Sequence, residues 1–108
     1  MRLAAKVDAN QKAIMHALRA VHGVSCFSLA GMGRGCPDLL VGIDGLTFLV
    51  EVKDGAKHLS AQSLTKDQVK FIANWTGSPV VLLRDTAMAT AWASRLSFTA
   101  TPVGESDA

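Results

Sequence analysis

Asp38, Glu51 and Lys53 are the residues of this chain whose types and spacing could do chemistry together. They lie between Pro37 and Lys53, where two apolar runs flank Asp44-Gly45. Asp-Gly between β-rich runs is a strong signal for a two-residue hairpin turn. With that turn as the loop, Ile43 faces Leu46. Counting outward pairs Gly42 with Thr47, Val41 with Phe48, Leu40 with Leu49, Leu39 with Val50 and Asp38 with Glu51. Side chains alternate along a strand, so Leu49, Glu51 and Lys53 share one face, and Asp38 joins it opposite Glu51. Cross-strand partners have Cβ atoms about 4.5–5.5 Å apart.

Two carboxylates that close repel each other. Their neighbours Leu39, Leu40, Val50 and Val52 predict a buried sheet, which strengthens the repulsion. Lys53 supplies one offsetting charge. A divalent cation would supply the rest, and a hard oxygen cage suits Mg²⁺ or Mn²⁺. Such an ion lowers the pKa of bound water and stabilises charge on a phosphate and its leaving oxygen. The plainer alternative is a solvent-edge hairpin with ordinary charges.

Pro37-Asp38 followed thirteen positions on by Glu51-Val52-Lys53 resembles the PD-(D/E)XK nuclease signature. The fuller string Gly35-Cys36-Pro37-Asp38-Leu39-Leu40-Val41-Gly42, with Glu51-Val52-Lys53-Asp54-Gly55, is similar to the VRR-NUC branch, and within it to small stand-alone nucleases carried by bacteriophages. The similarity runs from about Val7 to about Arg84. It implies a DNA phosphodiesterase in which Asp38, Glu51 and the backbone carbonyl of Val52 bind Mg²⁺ or Mn²⁺. Lys53 would orient or deprotonate the attacking water and offset charge on the phosphate. The family also carries a glutamine on the following helix, here Gln68, which would contact substrate or a metal-bound water. Related nucleases place a glutamate on the first helix, and this chain has none there. Asp8 is the candidate for that metal-binding part, with Gln11 second; the alternative is that Asp8 only favours the N-terminal turn of the helix.

At 108 residues the chain is one domain. Hydrophobic residues are 49% and charged residues 19% of it, and the charged share is below the roughly 25% usual for globular domains. Apolar surface is therefore left over, and self-association is a use for it. The net charge of +2 is uneven: Arg2, Lys6, Lys12, Arg19 and Arg34 stand against Asp8 alone in residues 1–35, a balance of +4. A basic third of the chain fits a polyanionic partner, although a solvated helix face gives the same count. Cys26 and Cys36 are too few for a disulfide framework and lack zinc-site spacing with the histidines. No secretory segment or long apolar run is present, so the expectation is a cytoplasmic protein with reduced thiols and no membrane partner.

The elements that must position the trio follow from periodicity. Residues 6–22 read as a helix with a Val7, Ile14, Leu18, Val21 stripe, and Ser25–Leu29 as a first strand. Gly31, Gly33 and Gly35 then allow positive φ in a loop that either presents amides and Arg34 to a phosphate backbone or merely connects. Past the hairpin, Lys57 and His58 sit in a polar loop where they could touch DNA. Thr65-Lys66-Asp67-Gln68 fits a capping box and opens a helix to about Thr76. Its stripe is Gln68, Phe71, Ile72 and Trp75, with Lys66 and Lys70 off the stripe and free to grip phosphates. Capping alone could explain Gln68. Pro79–Arg84 reads as a buried strand, and Met88, Ala89, Trp92 and Leu96 as the stripe of a short last helix, with Trp92 in a core or interface.

The expected architecture is α/β: a minimal restriction-endonuclease-like core of order α-β-β-β-α-β-α, with a mixed four-stranded sheet flanked by helices. Residues 1–96 form the domain and 97–108 a flexible tail. No base-reading module is evident, so branched DNA (junctions such as Holliday junctions, or flaps) is the expected substrate. By family analogy a homodimer would set two sites on two strands, and a phage origin would place the protein in a bacterial cytoplasm. The rival readings are a non-catalytic DNA-binding or assembly module with a vestigial site, and cleavage of RNA.

Overall fold

Asp44 and Gly45 fix the register of the sheet. Both take positive φ, 47° and 89°, as a type I′ hairpin turn requires. The turn joins β2 (Leu39–Ile43) to β3 (Leu46–Val52). The paired residues are those counted from the sequence, from Ile43 with Leu46 out to Leu39 with Val50. The computed structural model describes residues 8–99. In it, β1 (Val24–Ser28) pairs antiparallel with β2, and β4 (Val81–Leu83) pairs parallel with β3, so the sheet runs in the order β1-β2-β3-β4. A parallel pair needs a crossover. Here a 3-10 turn at Leu59–Gln62 and helix α2 (Lys66–Asn74) supply it. Helices α1 (Ala9–Arg19) and α3 (Thr86–Thr99) complete the expected α-β-β-β-α-β-α order.

Alternation along β2 buries Leu39, Val41 and Ile43 and leaves Leu40 and Gly42 half-buried. The buried set meets Ile14, Met15 and Leu18 of α1, Ala89 and Ala93 of α3, and Val50 and Leu83. The core therefore lies on one face of the sheet, under α1 and α3. The small alanines of α3 permit close packing there, and Trp92 sets its ring edge-on to Phe48 at 5.3 Å. Polar ties fix α1 at both ends. Asp8 caps it, accepting from the Gln11 amide at 2.8 Å. Asn10 Nδ2 donates to the carbonyl of Lys53 at 3.0 Å, and the Arg19 guanidinium donates twice to the carbonyl of Cys26, at 3.1 and 2.7 Å.

Several boundaries differ from expectation. β1 is Val24–Ser28 rather than Ser25–Leu29, α2 ends at Asn74 rather than about Thr76, and β4 is Val81–Leu83, with only Leu83 fully buried, rather than a buried Pro79–Arg84. α1 starts after its Asp8 cap and ends at Arg19 rather than spanning 6–22, and its buried face includes Met15, which the expected stripe omitted. Val7, part of that stripe, lies outside the described residues. α3 continues through residues 97–99, where a tail was expected. The Ser97 hydroxyl donates to the His22 carbonyl at 2.9 Å, which ties this last stretch to the segment after α1. Residues 100–108 lie outside the described residues. The expected stripe of α2 is its less exposed side, since Gln68, Phe71 and Ile72 are half-buried, but no residue of α2 is fully buried and Trp75 just beyond it is 43% exposed. No helix among the described residues is long and apolar enough to cross a membrane.

Leu39, fully buried, and Leu59, 79% exposed, make a matched pair for testing this core. Leu39→Ala should lower unfolding free energy by about 2–5 kcal/mol, because a cavity opens under both helices. Leu59→Ala should stay within about 0.5 kcal/mol of the parent. Urea denaturation of the two variants checks both values.

Candidate active site

The hairpin register brings the two carboxylates together at the open end of β2 and β3. Asp38 sits one residue before β2, and its Oδ2 accepts the Val52 amide at 2.7 Å. Its carbonyl accepts the Leu29 amide at 2.7 Å, which holds the chain as it enters the strand. In an extended strand the N–H and C=O of one residue point to the same edge, so the Val52 carbonyl also lies on the Asp38 side of β3. Glu51 projects to the face of β3 opposite the core, yet it is only 3% exposed. The Lys53 ammonium, on the same face, stands 3.8 Å from Glu51 Oε2.

Gln68 joins the trio from α2. Its Oε1 accepts from Lys53 Nζ at 2.9 Å and from the Thr65 amide at 2.9 Å. Its Nε2 donates to Glu51 Oε2 at 3.1 Å. The Thr65 hydroxyl accepts the Gln68 amide at 3.1 Å, which completes the capping box expected from the sequence. One side chain thus caps a helix and links an acid to a lysine. Its carboxamide orientation is determined, because only the oxygen can accept from Lys53 and only the nitrogen can donate to Glu51.

Burial, above all, pushes the Glu51 carboxyl up to about 8, and the hydrogen-bonding and charged Asp38 carboxyl pushes it the same way; Lys53 opposes them. Burial and the two carboxylates likewise raise the Cys36 thiol, so Cys36 also borders the pair. Desolvated like charges disfavour ionisation until a cation arrives. An oxygen pair with a strand-end carbonyl beside it fits Mg²⁺ or Mn²⁺ in donor type. Among the described residues no cluster of three or more Asp, Glu, His or Cys forms a metal cage; the oxygens that could hold a cation here are those of Asp38, Glu51 and the Val52 carbonyl. An ion of this kind commonly completes its shell with water and substrate phosphate oxygens.

The residues expected on α1 take other parts. Asp8 is exposed and its carboxylate serves as the helix cap rather than as a third acid of the site. Gln11 is buried, with Nε2 3.5 Å from the Ser28 hydroxyl at the end of β1. Of the expected DNA contacts, Arg34, Lys57, His58, Lys66 and Lys70 are all exposed. His58 also caps the 3-10 turn, its Nδ1 accepting the Ser60 amide at 3.2 Å. Arg34 and Lys70 share one cleft with Phe71, Asn74 and Trp75. Gly35, next to Arg34, takes φ 76°, and a Cβ there would overlap the carbonyl of Asp67. The glycine loop is thereby docked on the first turn of α2.

Three supporting residues were not foreseen. Asn10 binds the carbonyls that end the two parallel strands, Lys53 at 3.0 Å and Arg84 at 3.4 Å. Buried Gln62 donates to the Lys57 carbonyl at 2.8 Å and accepts from Arg84 Nε at 3.1 Å, which ties the loop after Lys53 to β4. Cys36, part of the string before Asp38, carries no sequence signal that it borders the acid pair. An amide side chain between polar neighbours carries no periodic signal, so nothing local marks Asn10 or Gln62. No family model, curated protein or solved structure matches this chain.

The raised Glu51 carboxyl has a consequence for stability. The unfolded group titrates near 4.5 and the folded one near 8, so the folded state binds more protons between those values. Its contribution is full below about 4.5 and is lost as pH rises through about 8. Melting temperature measured in EDTA should therefore fall across that window, and Glu51→Gln should flatten the fall. Mg²⁺ bound at Glu51 would have to displace the proton, so any binding near neutral pH should release protons, as read by calorimetry in buffers of different ionisation enthalpy.

Proposed function

We propose that the protein is a metal-dependent DNA endonuclease that hydrolyses phosphodiester bonds and selects its substrate by structure, with branched, junction or flap DNA preferred. The observation that carries this reading is the buried Glu51 carboxyl beside Asp38, bridged through Gln68 to Lys53. A structural ion pair does not call for two adjoining acids. A phosphodiesterase site needs both acids to hold a cation and a lysine near the reacting phosphate. The resemblance of Asp38 and Glu51-Val52-Lys53 to the PD-(D/E)XK signature, and of the surrounding string to VRR-NUC nucleases, supports the same reading.

In this mechanism Asp38, Glu51 and the Val52 carbonyl would hold Mg²⁺ or Mn²⁺. When bound, the ion would stabilise charge on the scissile phosphate and the departing oxygen. Water adds to phosphorus as the P–O bond to the leaving oxygen breaks, and the leaving oxygen takes a proton from solvent. The proton lost by the water goes to Lys53 if its amine is neutral, or to solvent if the Lys53 ammonium only orients the water while its charge faces the phosphate. Gln68 keeps Lys53 Nζ at 2.9 Å from its own oxygen, so the ammonium cannot collapse fully onto Glu51. Asn10 holds the Lys53 carbonyl from the far side of the strand end, so the backbone under the lysine does not drift. Exposed Arg34, Lys57, His58, Lys66 and Lys70 are the groups available to the flanking phosphates. The reading takes a homodimer as the active form, with Phe27, 64% exposed on the face of the sheet that bears Glu51, as apolar surface for pairing.

Labelled four-way junctions, flaps, nicked duplex, linear duplex, single strands and RNA, incubated with Mg²⁺ or Mn²⁺, test the proposal. Cutting should appear on branched DNA and fall at least about 100-fold in Lys53→Ala. Mg²⁺ should also raise the melting temperature of the parent, and Glu51→Gln should abolish the rise. Binding of branched DNA without cutting of any substrate would reassign the chain to a DNA-binding module. A preference for RNA would change the substrate class while leaving the chemistry intact.

A further inference from the structure

The cleft beside the candidate active site has a composition that the hydrolytic chemistry does not use. It has a volume of about 330 Å³ and is lined by Arg34, Lys70, Phe71, Asn74 and Trp75. We propose that this cleft is a nucleotide subsite, in which an unpaired base of single-stranded DNA stacks on Trp75 while Arg34 and Lys70 take the adjoining phosphates. The proposal deepens the nuclease reading and rests on its nucleic-acid part: it names unpaired nucleotides next to the scissile bond as the feature that is recognised.

Four observations converge on this occupant. Trp75 is 43% exposed although the helix it ends has an apolar stripe. Its ring is nevertheless fixed. The indole Nε1 donates to the Ser78 carbonyl at 2.9 Å. Phe71 stacks on it with centroids 5.5 Å apart and planes at 17°. Gly77 abuts it so closely that a Cβ would lie 2.8 Å from Nε1. An exposed aromatic ring that is already immobilised loses little further entropy when a ligand stacks on it. The second observation is size, since a volume near 300 Å³ is at the small end of ligand sites and suits one base rather than a helix. The third is charge. Arg34 and Lys70 are the ionisable residues of the lining and both are cationic, which complements a phosphate backbone and opposes an acid-free apolar peptide. Asn74 adds polarity: its Nδ2 is engaged with the Lys70 carbonyl at 2.9 Å, which leaves its Oδ1 as an acceptor for a base edge.

The fourth observation is placement. Arg34 precedes Gly35, whose backbone lies against Asp67 and Gln68. Lys70, Phe71 and Asn74 continue the helix that Gln68 begins. The subsite and the catalytic trio are therefore positioned by the same helix and the same loop. A duplex keeps its bases stacked inside, so only an unpaired or flipped base can use an aromatic platform of this kind. A flap or a junction arm offers such a base close to the strand that is cut.

Binding is read in EDTA, so that no hydrolysis occurs, with a short oligothymidylate and a blunt duplex as the probes. In a Trp92→Phe background Trp75 is the sole indole, and oligothymidylate should quench its fluorescence. Trp75→Leu should weaken oligothymidylate binding about tenfold, while Trp75→Phe keeps it close to the parent; duplex binding should be unchanged in both. Trp75→Phe retains a ring, and its melting temperature checks that the fold is intact. Equal losses on single strand and duplex, an absence of quenching, or no loss in Trp75→Leu would each overturn the proposal. Conversion of a dimer to a monomer by Trp75→Leu, with oligothymidylate binding unchanged, would reassign the platform to a second copy of the chain. A chain that binds through Trp75 and cuts nothing would sink the nuclease reading and keep this one. A chain that cuts branched DNA without needing Trp75 would do the reverse.

Discussion

A carboxyl group that is 3% exposed and adjoins a second carboxyl is the constraint on which the rest of this molecule turns. Burial removes the water that would normally disperse the charge, and Asp38 raises the cost further. The fold can hold Glu51 there only through fixed partners. Gln68 donates to it, Lys53 stands across from it, and the Val52 amide occupies an oxygen of Asp38. Each partner depends on register. A slip of one residue between β2 and β3 would turn Glu51 into the face that carries Val50 and Leu39, where an ionised group has no partner. The Asp44-Gly45 turn, the alternation of β2 and the geometry of the site are therefore a single requirement seen at three scales.

That requirement explains why the centre of the site could be read from the sequence and its surroundings less well. Asp-Gly fixes a turn type, turn type fixes register, and register fixes which acids meet. Every step is local or one strand away, and the observed pairing follows it from Ile43 and Leu46 to Leu39 and Val50. Thr65 and Gln68 were legible for the same reason, since a capping box spans four residues. What was missed depends on distant tertiary contact. Asp8 could be a ligand or a cap, and only the three-dimensional course of α1 decides that it caps. Asn10 meets partners 43 and 74 positions away. Arg19, counted in the basic charge of residues 1–35, is exposed and also donates to the Cys26 carbonyl, a tie that no local signal marks.

α2 shows the limit of a periodic signal. Its apolar period matched a packed helix, because an amphipathic stripe reports only that a face avoids water, not what covers it. The core was already filled from the other side of the sheet by α1 and α3. α2 is held down by Gln68, the Gly35 contact, the half-buried Phe71 and Ile72 and its chain ends, and no side chain of its own is fully buried.

An element with so little burial sits at the low end of the range of local stabilities within a fold. Its position is then set less by packing than by the polar bridge from Gln68 to Glu51 and Lys53, the same groups that would meet a cation and a phosphate. A cation taken up by Glu51 would compete with the Gln68 amide for one carboxylate oxygen. The helix that carries the exposed Trp75 ring at its end is thus tethered at its beginning to the acid pair.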